Sequence, residues 1–189
     1  MKLHIGCGLD TKNGWTNLDI TPGAGVDIVA NLDTDTIPLP NNSVEEILGL
    51  HVIEHLHNPL HAMSELFRIA KPDALMTLAC PYGSSDDAWE DPTHVRPYFV
   101  GSWSVFGQPY YWRADYGYRA DWQIETVMLQ LDRRIWANVP AEDAAAAIHT
   151  QRNIVHQQVT ILRAIKPTRA RERDLLEQPD LRLQLVDIT

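Results

Sequence analysis

Cysteine is scarce in this 189-residue sequence, and long hydrophobic runs are missing from it. Both cysteines, Cys7 and Cys80, lie inside short apolar runs of strand-like composition, so we predict two buried thiols and no disulfide. Unpaired thiols suit a reducing compartment. No basic-then-apolar segment opens the sequence, and no apolar run approaches the length needed to cross a bilayer. We therefore expect a cytoplasmic protein with no membrane partner.

Positive charge is also limited. The sequence has 16 Lys and Arg against 25 Asp and Glu, a formal net charge of -9. Nonspecific binding to a phosphate backbone depends on clustered cations, so this balance argues against a nucleic-acid partner. Basic residues do gather between Arg163 and Arg173, but Glu172 and Asp174 alternate with them, which indicates a solvated helix face.

The sequence contains no internal repeat, low-complexity tract or recognisable interdomain linker. Its length fits one domain of ordinary size, and a hydrophobic content of 44% is enough to build a core. We predict one α/β domain over residues 1–166, in which residues 82–122 form an aromatic-rich lid or substrate segment. A charged, helical tail over residues 167–189 is expected to follow.

The first half of the chain alternates strand-like runs with one helical segment. KLHIGC, TNLDI, VDIVANL, VEEILGL and ALMTLAC are short and apolar and predict five strands. Between the last two, apolar residues from Leu60 to Ala70 recur every three or four positions, the period of an amphipathic helix. Pro59 suits its first turn and Pro72 its end. A strand–helix–strand passage with apolar strands implies a parallel sheet covered on both faces.

The second half is less regular. Aromatic residues and glycines crowd residues 82–122, a composition that suits either the wall of a site or the apolar core of a lid. WQIETVMLQLDRRIW and HQQVTILRAI predict two late strands, and the alanine-rich residues 143–148 between them predict a helix.

Glycines and acidic residues follow the first three predicted strands. Gly6 and Gly8 end the first strand, where they allow close approach of a ligand to the backbone. Asp19 ends the second strand, where a carboxylate can accept both hydroxyls of a ribose. Asn31 and Asp33 follow the third strand, where their side chains and backbone amides could contact the edge of a base. Each feature alone is explained by turn geometry, but their order and spacing together favour nucleoside binding.

A series of motifs follows the chain in a fixed order. They are LHIGCG, NLDI, IPLPNNSVEEILGLHVIEHL and AKPDALMTLACP, with DPTHVRPY after them at residues 91–98. The series resembles the motifs of class I S-adenosylmethionine-dependent methyltransferases, most closely their small type 11 branch. The resemblance implies a Rossmann-like, mostly parallel sheet with helices on both faces and a shortened first crossover, and S-adenosylmethionine as the cofactor.

The resemblance also implies a role for each matching position. A glycine turn would cradle the methionine part of the cofactor, an acid would hold its ribose, a short segment would lie along the adenine, and a histidine would sit beside it. The glycine turn is Gly6, Cys7 and Gly8, and the acid is Asp19. The segment along the adenine is Asn31, Leu32 and Asp33, and the histidine is His51.

Three features depart from the family pattern. Asp10 follows Leu9 where a third glycine is usual. The first two strands are joined by only about ten residues, too few for the usual crossover helix. Asp73 and Ala74 stand where the family often has two glycines.

The stretch HVIEHLHNPLH, residues 51–61, matches the H-x-x-E-H pattern of inverted zinc proteases through His51, Glu54 and His55. A zinc site would need both histidines on one helical face, whereas this stretch lies at a strand-to-helix junction. We therefore predict no metal. Glu54, His57 and His61 are assigned to a polar helix start and an exposed face, and the role of His55 is left open.

DPTHVRPY supplies candidates for catalysis. His94 is the candidate general base, because histidine titrates near neutral pH, and Asp91 is expected to orient it. Arg96 and Tyr98 are assigned to the acceptor, with Arg96 binding an anionic group. The alternative is that Asp91 pairs with Arg96 and that His94 only caps a loop.

The sequence thus predicts a methyltransferase acting on oxygen or nitrogen of a small molecule. The alternative is a methyltransferase-like fold without catalysis that serves as a binding or assembly module. The oligomeric state is not predicted.

Overall fold

The computed structural model describes residues 1–188. These residues form one eight-stranded sheet in the order β3-β2-β1-β4-β5-β7-β6-β8. The strands are β1 (Lys2–Ile5), β2 (Thr16–Asp19), β3 (Ile28–Val29), β4 (Val44–Leu50), β5 (Ala70–Pro81), β6 (Trp122–Asp132), β7 (Gln157–Ala164) and β8 (Asp180–Val186). The helices are α1 (Pro59–Ile69), α2 (Asp87–Glu90), α3 (Arg133–Trp136) and α4 (Ala141–Thr150).

Most neighbouring strands run parallel. β3, β2, β1, β4 and β5 form a continuous parallel block. β7 lies antiparallel between β5 and β6, and β8 pairs in parallel with the outer edge of β6. The predicted Rossmann-like, mostly parallel α/β fold is confirmed. In such a sheet the carboxyl ends of the parallel strands meet at one edge, where ligands bind.

The connections around β1, β2 and β3 are short. Residues 6–15, 20–27 and 30–43 link these strands and β4, and none of the three segments contains a helix. The shortened first crossover predicted from the sequence is therefore present. The turn that begins it closes without a third glycine, because the Asp10 N–H donates to the Cys7 carbonyl at 2.8 Å.

Helix α1 begins where the sequence predicts. Pro59 occupies its first turn, and the side chain of Asn58 caps it by accepting a hydrogen bond from the His61 N–H. Ala62, Met63 and Leu66 are buried. The helix ends at Ile69, before the predicted stop at Pro72, because β5 pairs with β4 from Ala70 onward.

Two predictions for the second half are wrong in detail. Strand β6 ends at Asp132, and the side chain of Asp132 accepts from the Arg134 N–H to start α3, so residues 133–136 are helical and not extended. The tail is predicted to be helical, yet residues 180–186 form β8. Pairing with the outer edge of β6 satisfies the backbone hydrogen-bonding groups of the tail. The periodicity of the tail sequence does not predict this pairing, because the partner strand lies elsewhere in the chain.

The aromatic-rich segment contributes buried side chains to the same hydrophobic core as the sheet. Trp103 and Phe106 are fully buried in a seven-residue 3₁₀ turn, beside Tyr111 of a five-residue 3₁₀ turn and Tyr118 of the connection that follows. The indole N–H of Trp103 donates to the Gln158 side chain at 3.1 Å, which ties the segment to β7. These four side chains belong to the apolar core, and the lid or substrate role of residues 82–122 stays a prediction.

Both cysteines are free and buried, as predicted. Within residues 1–188, no helix combines the length and the apolar character that crossing a bilayer requires. The cytoplasmic location stays a prediction.

Candidate functional site

A cavity of about 270 Å³ opens at the carboxyl ends of β1, β2, β3 and β4. Loops that leave these strands form its walls. The residues that line it are Gly6, Leu18, Asp19, Ile20, Ala30, Asn31, Leu32, Asp33, His51, Val52, His55 and Leu56. A pocket with mostly apolar walls and a few convergent polar groups is typical of small-molecule sites.

The turn after β1 requires glycine. Gly6 adopts a φ of +59°, and a Cβ added to it would lie 2.7 Å from Cγ2 of Val52. Only a residue without a side chain fits both the backbone conformation and the space. The backbone of Gly6 therefore forms part of the cavity wall itself.

Asp19 closes the glycine turn and faces the cavity. One carboxylate oxygen accepts a hydrogen bond from the Gly8 N–H at 2.8 Å, and the other accepts from the Thr21 N–H at 2.9 Å. Each oxygen of an ionised carboxylate has two acceptor positions, so both remain able to accept a ligand hydroxyl. The two backbone contacts hold the carboxylate in this position.

The segment after β3 forms a compact turn. The Asn31 side-chain oxygen accepts from the Asp33 N–H at 2.9 Å. The Asp33 carboxylate in turn accepts from the Asn58 N–H at 2.7 Å and so joins this wall to the start of α1. Leu32 is buried between them and supplies an apolar surface to the cavity.

His51 follows β4 in a strained conformation. Its φ is +53°, which is uncommon for a residue other than glycine. Its Nδ1 lies 3.4 Å from a carboxylate oxygen of Glu54, and this contact raises the pKa of His51 above its ordinary value. The imidazole stays accessible from the cavity.

Most of the predicted cofactor residues come together here. Gly6, Asp19, Asn31, Leu32, Asp33 and His51 line the cavity, whereas Cys7 and Gly8 do not. Cys7 is buried below the turn, and Gly8 acts through its N–H to Asp19. Five lining residues are not predicted from the sequence, and each lies one to five positions from a predicted one: Leu18, Ile20, Ala30, Val52 and Leu56. His55, whose role the sequence leaves open, also lines the cavity.

The assignment of Glu54 to an exposed helix start is wrong. Ile53–His55 form a separate 3₁₀ turn, four residues before α1, and Glu54 is only 3% exposed. Neither of its carboxylate oxygens has a hydrogen-bond partner among the described residues. His57 is exposed as predicted, and His61 lies 3.2 Å from the Asp35 carbonyl.

His94 lies next to His55. The two imidazoles meet edge to face with centroids 4.7 Å apart, and the His94 side chain is 9% exposed. The Val95 N–H donates to the Glu54 carbonyl at 2.8 Å, which holds residues 91–98 against the 3₁₀ turn.

Asp91 does not hydrogen bond to His94. Its carboxylate is 4.0 Å from the His94 Nε2, beyond hydrogen-bond distance. It accepts instead from the N–H and the hydroxyl of Thr93, and these bonds lower the pKa of Asp91.

Arg96 and Tyr98 lie at a second cavity, of about 440 Å³, together with Pro59 and Leu60 of α1. Arg96 forms no ion pair with Asp91 in the part of the chain that the structure describes, so the alternative in which they pair is not realised. Tyr98 is 2% exposed and stacks on Trp103, and burial raises its pKa. Its ring therefore belongs mainly to the core.

Residues 3–78 match the family model described as a methyltransferase domain. Among solved structures, the chain is similar to an S-adenosylmethionine-dependent methyltransferase from Archaeoglobus fulgidus, with a TM-score of 0.56, 18% identity, and coverage of 86% of this chain and 85% of that one. No curated protein sequence matches the chain.

Two further solved structures show how widely this fold is used. One is a chain from the complex of the Haloferax volcanii methyltransferase activator Trm112, with a TM-score of 0.53, 15% identity, and coverage of 87% and 82%. The other is the cyclase SpnF, with a TM-score of 0.52, 13% identity, and coverage of 87% and 74%.

The family and the fold imply S-adenosylmethionine as the cofactor, and the residues of the first cavity fit it. Gly6 provides a cradle that any side chain would fill, Asp19 offers free acceptor positions, and Leu32 offers an apolar surface. The order of the strands, the family match and this site agree. The match of residues 3–78 and the shared fold together support a class I S-adenosylmethionine-dependent methyltransferase.

Proposed function

We propose that the protein transfers the methyl group of S-adenosylmethionine to an oxygen or nitrogen atom of a small-molecule acceptor. The observation that carries this proposal is the cavity at the strand ends, where the Gly6 turn and the Asp19 carboxylate converge. When bound, the cofactor supplies a methyl group that is already activated as a sulfonium. The protein then has mainly to position an acceptor and to remove its proton.

In the proposed assignment, Asp19 accepts the ribose hydroxyls and Asn31, Leu32 and Asp33 border the adenine. The backbone from Gly6 to Gly8, including Cys7, surrounds the methionine part, and His51 lies beside it. Support comes from the six of these residues that line one cavity and from the hydrogen bonds that hold Asp19 and Asp33 in place.

The second cavity is the proposed acceptor site. Its wall includes Pro59 and Leu60, while His55 and Leu56 line the first cavity, so residues 55–60 border both spaces. Arg96 gives this space a guanidinium, which suits a carboxylate or phosphate on the acceptor. The net charge of -9 makes a nucleic-acid acceptor the less favoured class.

Two imidazoles are candidates for proton removal. His94, proposed from the sequence, lies behind His55, and His55 lines the cavity directly. In this proposal the acceptor lies in the second cavity and its reacting hydroxyl reaches His55 at the first cavity, with His94 as the neighbour of His55. Asp91 supports this pair through Thr93, whose hydroxyl contacts His55.

Calorimetry with S-adenosylmethionine and S-adenosylhomocysteine tests the first step. We expect binding of both, and we expect a panel of carboxylated and phosphorylated alcohols and amines to yield S-adenosylhomocysteine with at least one member. Absence of binding to either nucleoside at millimolar concentration would refute the proposal. Binding without turnover across the panel would favour the alternative of a noncatalytic binding module.

A further inference from the structure

We propose that Glu54, His55 and His94 form a binding site for a divalent metal ion, with zinc as the best match, beside the cofactor cavity. One ligand atom from each of these side chains lies within 4.8 Å of the others. This site goes beyond the proposed function, because metal binding to it requires neither cofactor nor acceptor. It also replaces the prediction from the sequence that the protein holds no metal.

The buried carboxylate is the first observation that points to a cation. Glu54 is 3% exposed, and neither oxygen accepts a hydrogen bond within residues 1–188. Burial of an ionised carboxylate without compensation is strongly unfavourable, so buried charges are normally paired or coordinate metals. The His51 imidazole, 3.4 Å from one oxygen, compensates only part of this charge.

The second observation is the orphaned nitrogen of His94. Its Nδ1 is buried and has no partner in the described part of the chain, while its Nε2 points toward Asp91 at 4.0 Å. A buried imidazole nitrogen that lacks a hydrogen bond is available as a ligand. The backbone bond from the Val95 N–H to the Glu54 carbonyl holds the segment that carries His94 against the 3₁₀ turn that carries Glu54.

The third observation is the orientation of His55. Its Nδ1 lies 3.2 Å from the Thr93 carbonyl and 3.0 Å from the Thr93 hydroxyl oxygen. That hydroxyl donates its proton to Asp91 at 2.6 Å, so Thr93 must accept from the His55 Nδ1–H. The Nε2 of His55 therefore carries the free lone pair. Metal-binding histidines show this arrangement, in which one nitrogen donates to an outer group and the other binds the ion.

The donor set selects the metal. Two imidazoles and one carboxylate suit zinc, whereas magnesium and calcium prefer oxygen ligands. Zinc bonds of about 2.0–2.1 Å at tetrahedral angles place ligands about 3.4 Å apart, so ligand atoms that lie within 4.8 Å of one another need to draw together by at most roughly 1.4 Å. Three protein ligands leave a fourth position open, and His55 lies in the cavity wall, so this position is next to the cavity.

An ion at this site would alter the proposed chemistry, and this consequence alone rests on the proposed function. His55 and His94 would then be ligands and no longer bases. A hydroxyl bound at the open position would have a lowered pKa, and its proton would pass to solvent before methyl transfer.

Metal binding is tested on the full chain, purified without a histidine tag and stripped with a chelator. Calorimetry with ZnCl₂ is expected to show one equivalent bound, and CoCl₂ is expected to give visible absorption bands of a low-coordinate ion. MgCl₂ is expected not to compete. Glu54→Gln and His94→Ala should each weaken zinc binding more than tenfold. His57→Ala is the matched control, because His57 belongs to the same histidine-rich stretch but is exposed and outside the cluster.

Two results would overturn the site. One is a wild-type chain that binds no stoichiometric zinc or cobalt. The other is equal loss of zinc affinity in His57→Ala and in the cluster variants. Circular dichroism of each variant shows whether it folds, and if Glu54→Gln does not fold, His94→Ala and the wild-type stoichiometry decide. Nucleoside binding by the stripped protein is measured separately, so failure of the metal site and failure of the proposed function remain distinguishable.

Discussion

Replacement of Asp19 by alanine tests the cofactor assignment most directly. In the structure its carboxylate accepts backbone hydrogen bonds from Gly8 and Thr21 and lines the cavity with its remaining acceptor positions. Alanine removes both the proposed ribose contact and the two bonds that shape the turn. The affinity for S-adenosylmethionine should therefore fall, and the free protein should lose some stability.

The size of the effect follows from the charge of the lost acceptor. A hydrogen bond to an ionised group contributes about 1.5–3 kcal/mol, and Asp19 is partly exposed, so the lower end applies. Loss of one ribose contact at about 1.5 kcal/mol corresponds to roughly a tenfold weaker affinity, and loss of two corresponds to roughly a hundredfold. We expect the dissociation constant to rise between these limits.

Calorimetry with S-adenosylhomocysteine measures this change without turnover. Asp10→Ala is the matched control, because Asp10 is an exposed carboxylate of the same turn that does not line the cavity. Urea unfolding of both variants reports the cost to the turn itself. Unchanged affinity in Asp19→Ala, with a folded protein, would mean that the ribose contact is misassigned.

Two further substitutions probe the framework. Gly6→Ala places a Cβ 2.7 Å from Val52 at a φ of +59°, so urea unfolding should show that the free energy of unfolding falls by about 1–3 kcal/mol, and cofactor affinity should fall with it. Gly8→Ala, with open space around its Cβ, should lower the free energy of unfolding less. Equal effects of the two substitutions would contradict the steric reasoning. Arg169→Ala should destabilise the fold by about 3–5 kcal/mol, because Asp121 is 0% exposed and would lose its guanidinium partner. Arg182→Ala, which removes an exposed ion pair, is its control, and a similar small effect for both would refute the importance of burial.

The parts of the fold that the sequence predicts well are those that local chemistry dictates. Helix α1 follows from apolar spacing, from Pro59 in the first turn and from Asn58 as its cap. The strands of the first half are short apolar runs between turn residues, and the sites at their ends carry the glycine and acids expected there. Each of these signals lies within a few residues of the feature that it predicts.

The errors have a common physical origin. The charged tail has a helix-like sequence, but it forms β8 because the edge of β6 provides partners for its backbone hydrogen bonds. The sequence around Glu54 predicts a solvated residue at a helix start, but in the structure Glu54 is buried where the segment of Val95 packs against its 3₁₀ turn. In both cases a segment distant in the chain changes the environment, and local periodicity carries no record of that contact.

The sequence by itself thus determined a mostly parallel, methyltransferase-like sheet and six of the twelve residues that line the cavity at its edge, because glycine conformation, proline placement and apolar spacing act locally. Only the tertiary structure decided how the side chains of HVIEHLHNPLH are arranged. It brought His94 against His55, buried Glu54 beside them and left His57 in solvent. Burial and proximity depend on packing between distant segments, so the cluster that could hold a metal exists only in the folded chain.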